Sequence, residues 1–205
     1  MRIVLVRHGE TEGQSSIRYF GATDVRLSEF GRRQMECVAA ALAGRRFDAV
    51  YSSALTRARE SARIAGGCEP AVLSGFDEID FGEWDGLTDA EIAARDPAAH
   101  ATWRARPTEF RYPRGESTVA FRARVAATLR WVLAREPGST RLLVLHKGVI
   151  RTVLAELLRL DLAARGQLEV DLGSIHVVER AGEGWHAAQL NHLAHLAGLD
   201  SRADG

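Results

Sequence analysis

Apolar positions along this chain follow two rhythms. Ile3–Val6 and Leu142–Leu145 are short continuous runs, the pattern of strands buried on both faces. Phe47–Tyr51 reads as a strand, Ala71–Leu73 as a shorter one, and Ile175–Glu179 and Trp185–Leu190 as the last two. Between them the spacing turns helical. Ser28 is placed to cap a helix reaching Ala43, with Gly44 just past its end, and Ala54–Ala65 reads as a second helix closed by Gly66-Gly67. Thr88 with Glu91 forms a capping-box pattern opening a short helix. Val125, Leu129, Val132 and Leu133 share one stripe of a helix over Glu116–Arg135, and another runs from Gly148 to Leu160. Residues 7–27 look irregular, and Pro97, Pro107 and Pro113 argue against long regular elements over 96–114. Strands alternating with helices predict an α/β fold with a mostly parallel sheet.

Ligands of such sheets bind at the carboxyl ends of the strands. Three predicted strands end in chemistry: Arg7-His8-Gly9-Glu10-Thr11, Ser52-Ser53 leading to Arg57, and His146-Lys147-Gly148 leading to Arg151. Each brings a His or an Arg to the same rim, which suits capture of a compact anion such as a phosphoryl group. A neutral imidazole on His8 could attack phosphorus if its other nitrogen were tied to an acceptor. Arg7, Arg57 and a protonated His146 would then stabilise charge on the equatorial oxygens. The leaving alkoxide needs a proton, and Asp77, Glu78, Asp80, Glu83 and Asp85 all compete for that post.

Charge and composition narrow the field. Lys+Arg and Asp+Glu are 27 each, so the chain has no cationic surplus for nucleic acid or for a polybasic membrane patch. No apolar run approaches the roughly 20 residues of a membrane span, and the N-terminus enters a strand at once, so a cytoplasmic protein is expected. Cys37 and Cys68 form no CxxC and read as small buried apolar residues. His192 and His195 lack a third ligand at metal spacing, so no metal and no cofactor are expected. The arginines at 104, 106, 111 and 114, interleaved with Trp103, Phe110 and Tyr112, read as facing an anionic substrate.

Taken in order, these segments resemble the histidine phosphatase (phosphoglycerate mutase-like) superfamily. Arg7–Thr11 matches its RHGET, Leu27-Ser28 through Gly31 to Gln34 its LTxxGxxQ, and Ser52–Ala58 its SxLxRA. Glu78–Gly86 is similar to ExxFGxWEG, Gly115-Glu116-Ser117 to GES, His146–Arg151 to HGGVIR, and Leu190–Leu196 to LNDTxHL. The resemblance implies a single domain over 1–205, built as a three-layer α/β/α sandwich with a small helical lid inserted at about 86–137. It makes His8 the phosphoryl-accepting nucleophile and Arg7, Arg57 and His146 the phosphate pocket. Glu78, four residues before Gly82, becomes the general acid and base. Gln14, where an asparagine is usual, and Thr23 are the expected substrate contacts, with Lys147, the only lysine, which replaces a glycine and would favour a second anionic group on the substrate. The implied activity is hydrolysis of small phosphorylated metabolites, with a homodimer as the family's assembly. The alternatives are a 2,3-bisphosphoglycerate-dependent phosphoglycerate mutase and an inactive member that only binds phosphorylated ligands.

Overall fold

A computed structural model describes residues 1–135 and 139–199. Its strands are β1 (Arg2–Arg7), β2 (Ala49–Ser52), β3 (Ala71–Val72), β4 (Thr140–Leu145), β5 (Ile175–Ala181) and β6 (Gly184–His192). The helices are α1 (Glu29–Ala41), α2 (Thr56–Gly66), α3 (Asp89–Arg95), α4 (Pro97–Ala105), α5 (Thr118–Leu133), α6 (Lys147–Leu158) and α7 (Leu162–Gln167). One sheet runs β3-β2-β4-β1-β5-β6. The β3–β2, β2–β4 and β4–β1 pairs are parallel, while β1–β5 and β5–β6 are antiparallel.

The continuous apolar runs do what their pattern requires. Successive strand side chains point to opposite faces. Ile3, Leu5, Leu143 and Leu145 join Phe121, Val125 and Leu129 of α5 and Ile150, Val153 and Leu154 of α6 in one core. Val4, Val6, Leu142 and Val144 meet Met35 and Val38 of α1 and Ala62 and Ala65 of α2 in the other. Helices therefore cover both faces of a mostly parallel sheet, giving the three layers expected.

The caps read from sequence form. Ser28 Oγ accepts the Gly31 N–H at 3.0 Å, and Thr88 and Glu91 close a full capping box. One expectation fails. Residues 97–105, inside the stretch assumed to lack long elements, form α4, with Pro97 in its first turn and Asp96 capping Ala99 at 3.0 Å. A proline in the first turn gives up only an N–H that has no helical partner, so it starts a helix here instead of ending one. Cys68 is exposed and Cys37 only half-buried, so neither is the buried apolar residue expected. No described helix is long and apolar enough to cross a membrane. Residues 136–137 of the anticipated lid and 200–205 of the anticipated domain lie outside the described residues.

Candidate active site

The parallel register gathers the strand ends. Arg7 pairs with Leu145, Ser52 with Val144, and the His8 N–H donates to Leu145 O at 3.0 Å. The loop after β1 is pressed onto the start of α1. A Cβ on Gly9 would run into the Gly31 carbonyl, and one on Gly31 into the Glu10 carbonyl, so both motif glycines serve close backbone approach. Gln34 Oε1 accepts the Glu10 N–H at 2.8 Å. Glu10 in turn accepts from Thr11 N and Ser15 Oγ, both at 2.8 Å, fixing the turn that follows.

His8 is 4% exposed, and its Nδ1 lies 2.7 Å from Gly9 O. A carbonyl oxygen can only accept, so Nδ1 carries the proton and Nε2 keeps its lone pair. The His146 ring stands 5.1 Å away, centroid to centroid. Its Nε2 is 2.7 Å from Ser53 Oγ, which also accepts the Leu55 N–H at 3.2 Å. Arg57, fully buried, donates to the carbonyls of Phe20, Gly21 and Thr23 at 2.8–3.0 Å, and Arg7 donates to Val170 O at 2.9 Å. Arg7 Nε, Arg57 Nε and His146 Nδ1 are buried and have no hydrogen-bond partner among the described residues. Buried polar groups are rarely left so, and an anion with several acceptor oxygens would serve them.

Burial, reinforced by Arg57, pushes both His8 and His146 well below the usual histidine range. Both imidazoles are thereby favoured in their neutral forms. Burial also pushes Arg7 down to about 10, which leaves it charged at neutral pH.

Among the five competing carboxylates, only Glu78 lines the cavity of about 430 Å³ that also takes in Arg7, His8, Lys147 and Arg151. Asp77 accepts the Ala54 N–H at 2.7 Å, Asp80 the Gly82 N–H at 2.9 Å and Asp85 the Gly21 N–H at 3.1 Å, while Glu83 pairs with Arg114. Glu78 is 7% exposed and held by the N–H groups of Ile79 and Gly148, each at 2.9 Å. Its backbone is held as well. Arg124 on α5 donates to the carbonyls of Gly75 (3.1 Å), Asp77 (2.7 Å) and Glu78 (3.0 Å) while gripping both oxygens of Glu116 at 2.8–2.9 Å.

Not every expected contact is brought in. Gln14 and Thr23 are exposed and do not line the cavity; Gln14 sits at φ +62° in a tight turn, and Thr23 offers only its backbone carbonyl to Arg57. The arginines at 104, 106, 111 and 114 are all exposed and none lines the cavity, which takes in their neighbours Trp103 and Tyr112 instead. The anticipated lid segment at about 86–137 does supply wall, through Trp103, Pro107, Tyr112 and Phe121 among others. His195 Nε2 lies 3.0 Å from Gly173 O, and His192 stacks on the His195 ring at 5.7 Å. Sequence reasoning named Ser53 and Arg151 within strand-end segments but gave them no role, and it passed over Arg124. The i, i+4 spacing from Lys147 could have singled out Arg151, whereas nothing local marks Arg124.

Comparisons with known proteins bear on the family and the fold. The model of the histidine phosphatase superfamily (branch 1) matches residues 3–193. A bifunctional protein of Mycobacterium tuberculosis is 35% identical over 193 residues, which cover 92% of this chain and 53% of that protein, so the chain spans about half its length. A glucosyl-3-phosphoglycerate phosphatase of the same organism is 36% identical over 173 residues, covering 79% of this chain and 77% of the enzyme. The solved structure of a mycobacterial glucosyl-3-phosphoglycerate phosphatase with VO3 superposes with a TM-score of 0.83 at 32% identity, covering 93% of this chain and 98% of that one. The chain belongs to the histidine phosphatase superfamily.

Proposed function

We propose that this member of the histidine phosphatase superfamily hydrolyses phosphate monoesters of small metabolites without a metal, carrying the phosphoryl group on His8 Nε2. The observation that supports this most is the fixed tautomer of His8: a buried neutral imidazole, proton on the Gly9 side and lone pair free, beside two arginines with unpartnered Nε–H groups. Nε2 attacks phosphorus as the ester P–O bond breaks, and Glu78 in its acid form gives its proton to the leaving alkoxide. Glu78, now a carboxylate, takes a proton from water as that water attacks the phosphohistidine. Inorganic phosphate leaves, and both residues return to their starting state. Arg7 and Arg57 meet the charge that spreads over the equatorial oxygens. A His146 whose Nε2 accepts a hydrogen bond from the Ser53 hydroxyl presents Nδ1–H to the same oxygens, and an arriving dianion opposes the burial and the arginine charge that lower this ring's readiness to hold a second proton.

Hydrolysis of p-nitrophenyl phosphate in EDTA, beside His8→Ala, tests the reading. Turnover should survive the chelator, vanish in the variant and pass through an acid-labile, base-stable phosphoenzyme. Loss of activity in EDTA, or a variant that still turns over, would overturn it. Interconversion of phosphoglycerates with little free phosphate would favour the mutase alternative.

A further inference from the structure

Two cations on one turn of α6 have no part in the steps above. Lys147 and Arg151 are four residues apart, so they share a helix face, and both line the cavity beside Arg7, His8 and Glu78. Lys147 stands exposed on the cavity wall and makes no hydrogen bond or ion pair among the described residues. Arg151 spends its Nε on Leu168 O at 2.8 Å, and its two terminal nitrogens have no partner among the described residues.

The neighbouring carboxylates are already engaged. Glu78 accepts two backbone N–H groups, and Asp171 accepts from the Asn191 side chain at 2.8 Å. At the far side of the cavity, Arg18 is paired with Glu91, and Asp89 with His100. The α6 side therefore holds three cations, Arg7, Lys147 and Arg151, against two carboxylates, Glu78 and Asp171, and Lys147 is left without a direct partner among the described residues. Burial first, then the Arg7 and Arg151 guanidiniums, lower the readiness of Lys147 to hold its proton, with Asp171 and Glu78 opposing them. A single phosphoryl group is already served by Arg7, Arg57 and the histidines. The rest of the wall is of another kind: Tyr19, Phe81, Trp103, Tyr112 and Phe121 present aromatic surface. A cavity of about 430 Å³ has room for a carbon body as well as the ester.

We propose that Lys147 and Arg151 form a second anion subsite, which takes a carboxylate or a second phosphoryl group of the same substrate while its carbon body lies on the aromatic wall. This rests on the phosphatase reading above. The arginine fork matches either group bidentately, and the lysine adds a point charge at the same place.

Calorimetry on the inactive His8→Ala protein tests the subsite without turnover. Two ligand pairs differ in the second anion: 3-phosphoglycerate against glycerol 3-phosphate for a carboxylate, and fructose 1,6-bisphosphate against fructose 6-phosphate for a phosphoryl group. In at least one pair the two-anion member should bind about tenfold more tightly, about 1.4 kcal/mol, and the pair that shows it identifies the group. Adding Lys147→Met or Arg151→Gln should each shrink that preference at least threefold, a threshold of roughly half the effect in free energy. Equal affinities within both pairs, or a preference untouched by both substitutions, would overturn the subsite. Wild-type turnover of p-nitrophenyl phosphate separates the two failures. Equal affinities with turnover intact remove the subsite alone, whereas a preference without turnover keeps the subsite and removes the phosphatase reading.

Discussion

Arg124 touches no substrate in the proposed mechanism, yet the position of Glu78 depends on it. Arg124→Met keeps a stem that can lie on Phe121, over which the guanidinium now sits at 4.9 Å, and removes three hydrogen bonds to loop carbonyls and two to Glu116. Breaking a fully buried ion pair costs about 3–5 kcal/mol. Here the side chains are 29% and 18% exposed, so water reaches the stranded Glu116 carboxylate and the loss should be nearer about 2–3 kcal/mol. At roughly 2–4 °C per kcal/mol for a chain of this size, Tm falls by about 4–12 °C. Adding Glu116→Gln should recover part of that by removing the unpaired charge.

The catalytic effect is separable from the loss of stability. A displaced Glu78 delivers its proton poorly, and general acid catalysis is worth about 10²–10⁴ in rate. An alkyl phosphate needs that proton, because its alkoxide leaves badly; p-nitrophenolate leaves as a stable anion. Steady-state kcat/KM, which reports the step that cleaves the ester, should therefore fall by about 10–100-fold for glycerol 3-phosphate and only a few-fold for p-nitrophenyl phosphate. An equal fall for both esters, measured below the new Tm, would refute the idea that Arg124 acts through Glu78.

Three further outcomes follow from the same geometry. Gly148→Ala places a Cβ 2.5 Å from Glu78 Oε1, so the carboxylate must move; kcat for an alkyl ester should drop by about tenfold or more in a protein that remains folded, and an unchanged rate would remove Glu78 from the chemistry. Ser53→Ala strips His146 Nε2 of its partner and should lower kcat/KM for any ester by about tenfold, with a stability loss of about 1 kcal/mol in urea titration. Burial lowers His176 to about 4, so below pH 6.5 the unfolded chain binds a proton that the folded one refuses, and stability must fall with pH. Between pH 7.5 and 5 this histidine alone should cost about 2 kcal/mol in urea unfolding, with buried His8 and His146 adding in the same direction, and His176→Gln should flatten the slope.

What was legible in the sequence was what local pattern controls. Ile3–Val6 and Leu142–Leu145 had to be two-faced strands, and a parallel sheet had to bring their ends together with Ser53 and Arg57. Ser28 and Thr88 announced their helices because a cap is a contact across three residues. Glu78 could be chosen among five carboxylates only through a resemblance, since what distinguishes it is that it alone of the five lines the cavity beside His8, which is decided by contacts far along the chain. That Gln14 and Thr23 do not line the cavity was illegible for a related reason. Turn conformation decides where such side chains go, and Gln14 spends its position on a positive φ.

The segments that carry the family resemblance mix two kinds of residue, and the structure separates them. Gly9, Gly31, Gln34 and Gly148 hold backbones and a carboxylate at distances that nothing larger permits, so they serve any reaction His8 can perform. Lys147, by contrast, departs from the pattern at a position where the chain leaves the strand end and enters α6, on the same face as Arg151 and on the wall of the same cavity. On the proposed mechanism and subsite, phosphoryl chemistry belongs to the strand ends, which the sheet fixes, and recognition to α6 and to the aromatic residues of α4 and the segment that follows it. Substitution at Lys147, Trp103 or Tyr112 should therefore change which ester is accepted more than how phosphorus is transferred.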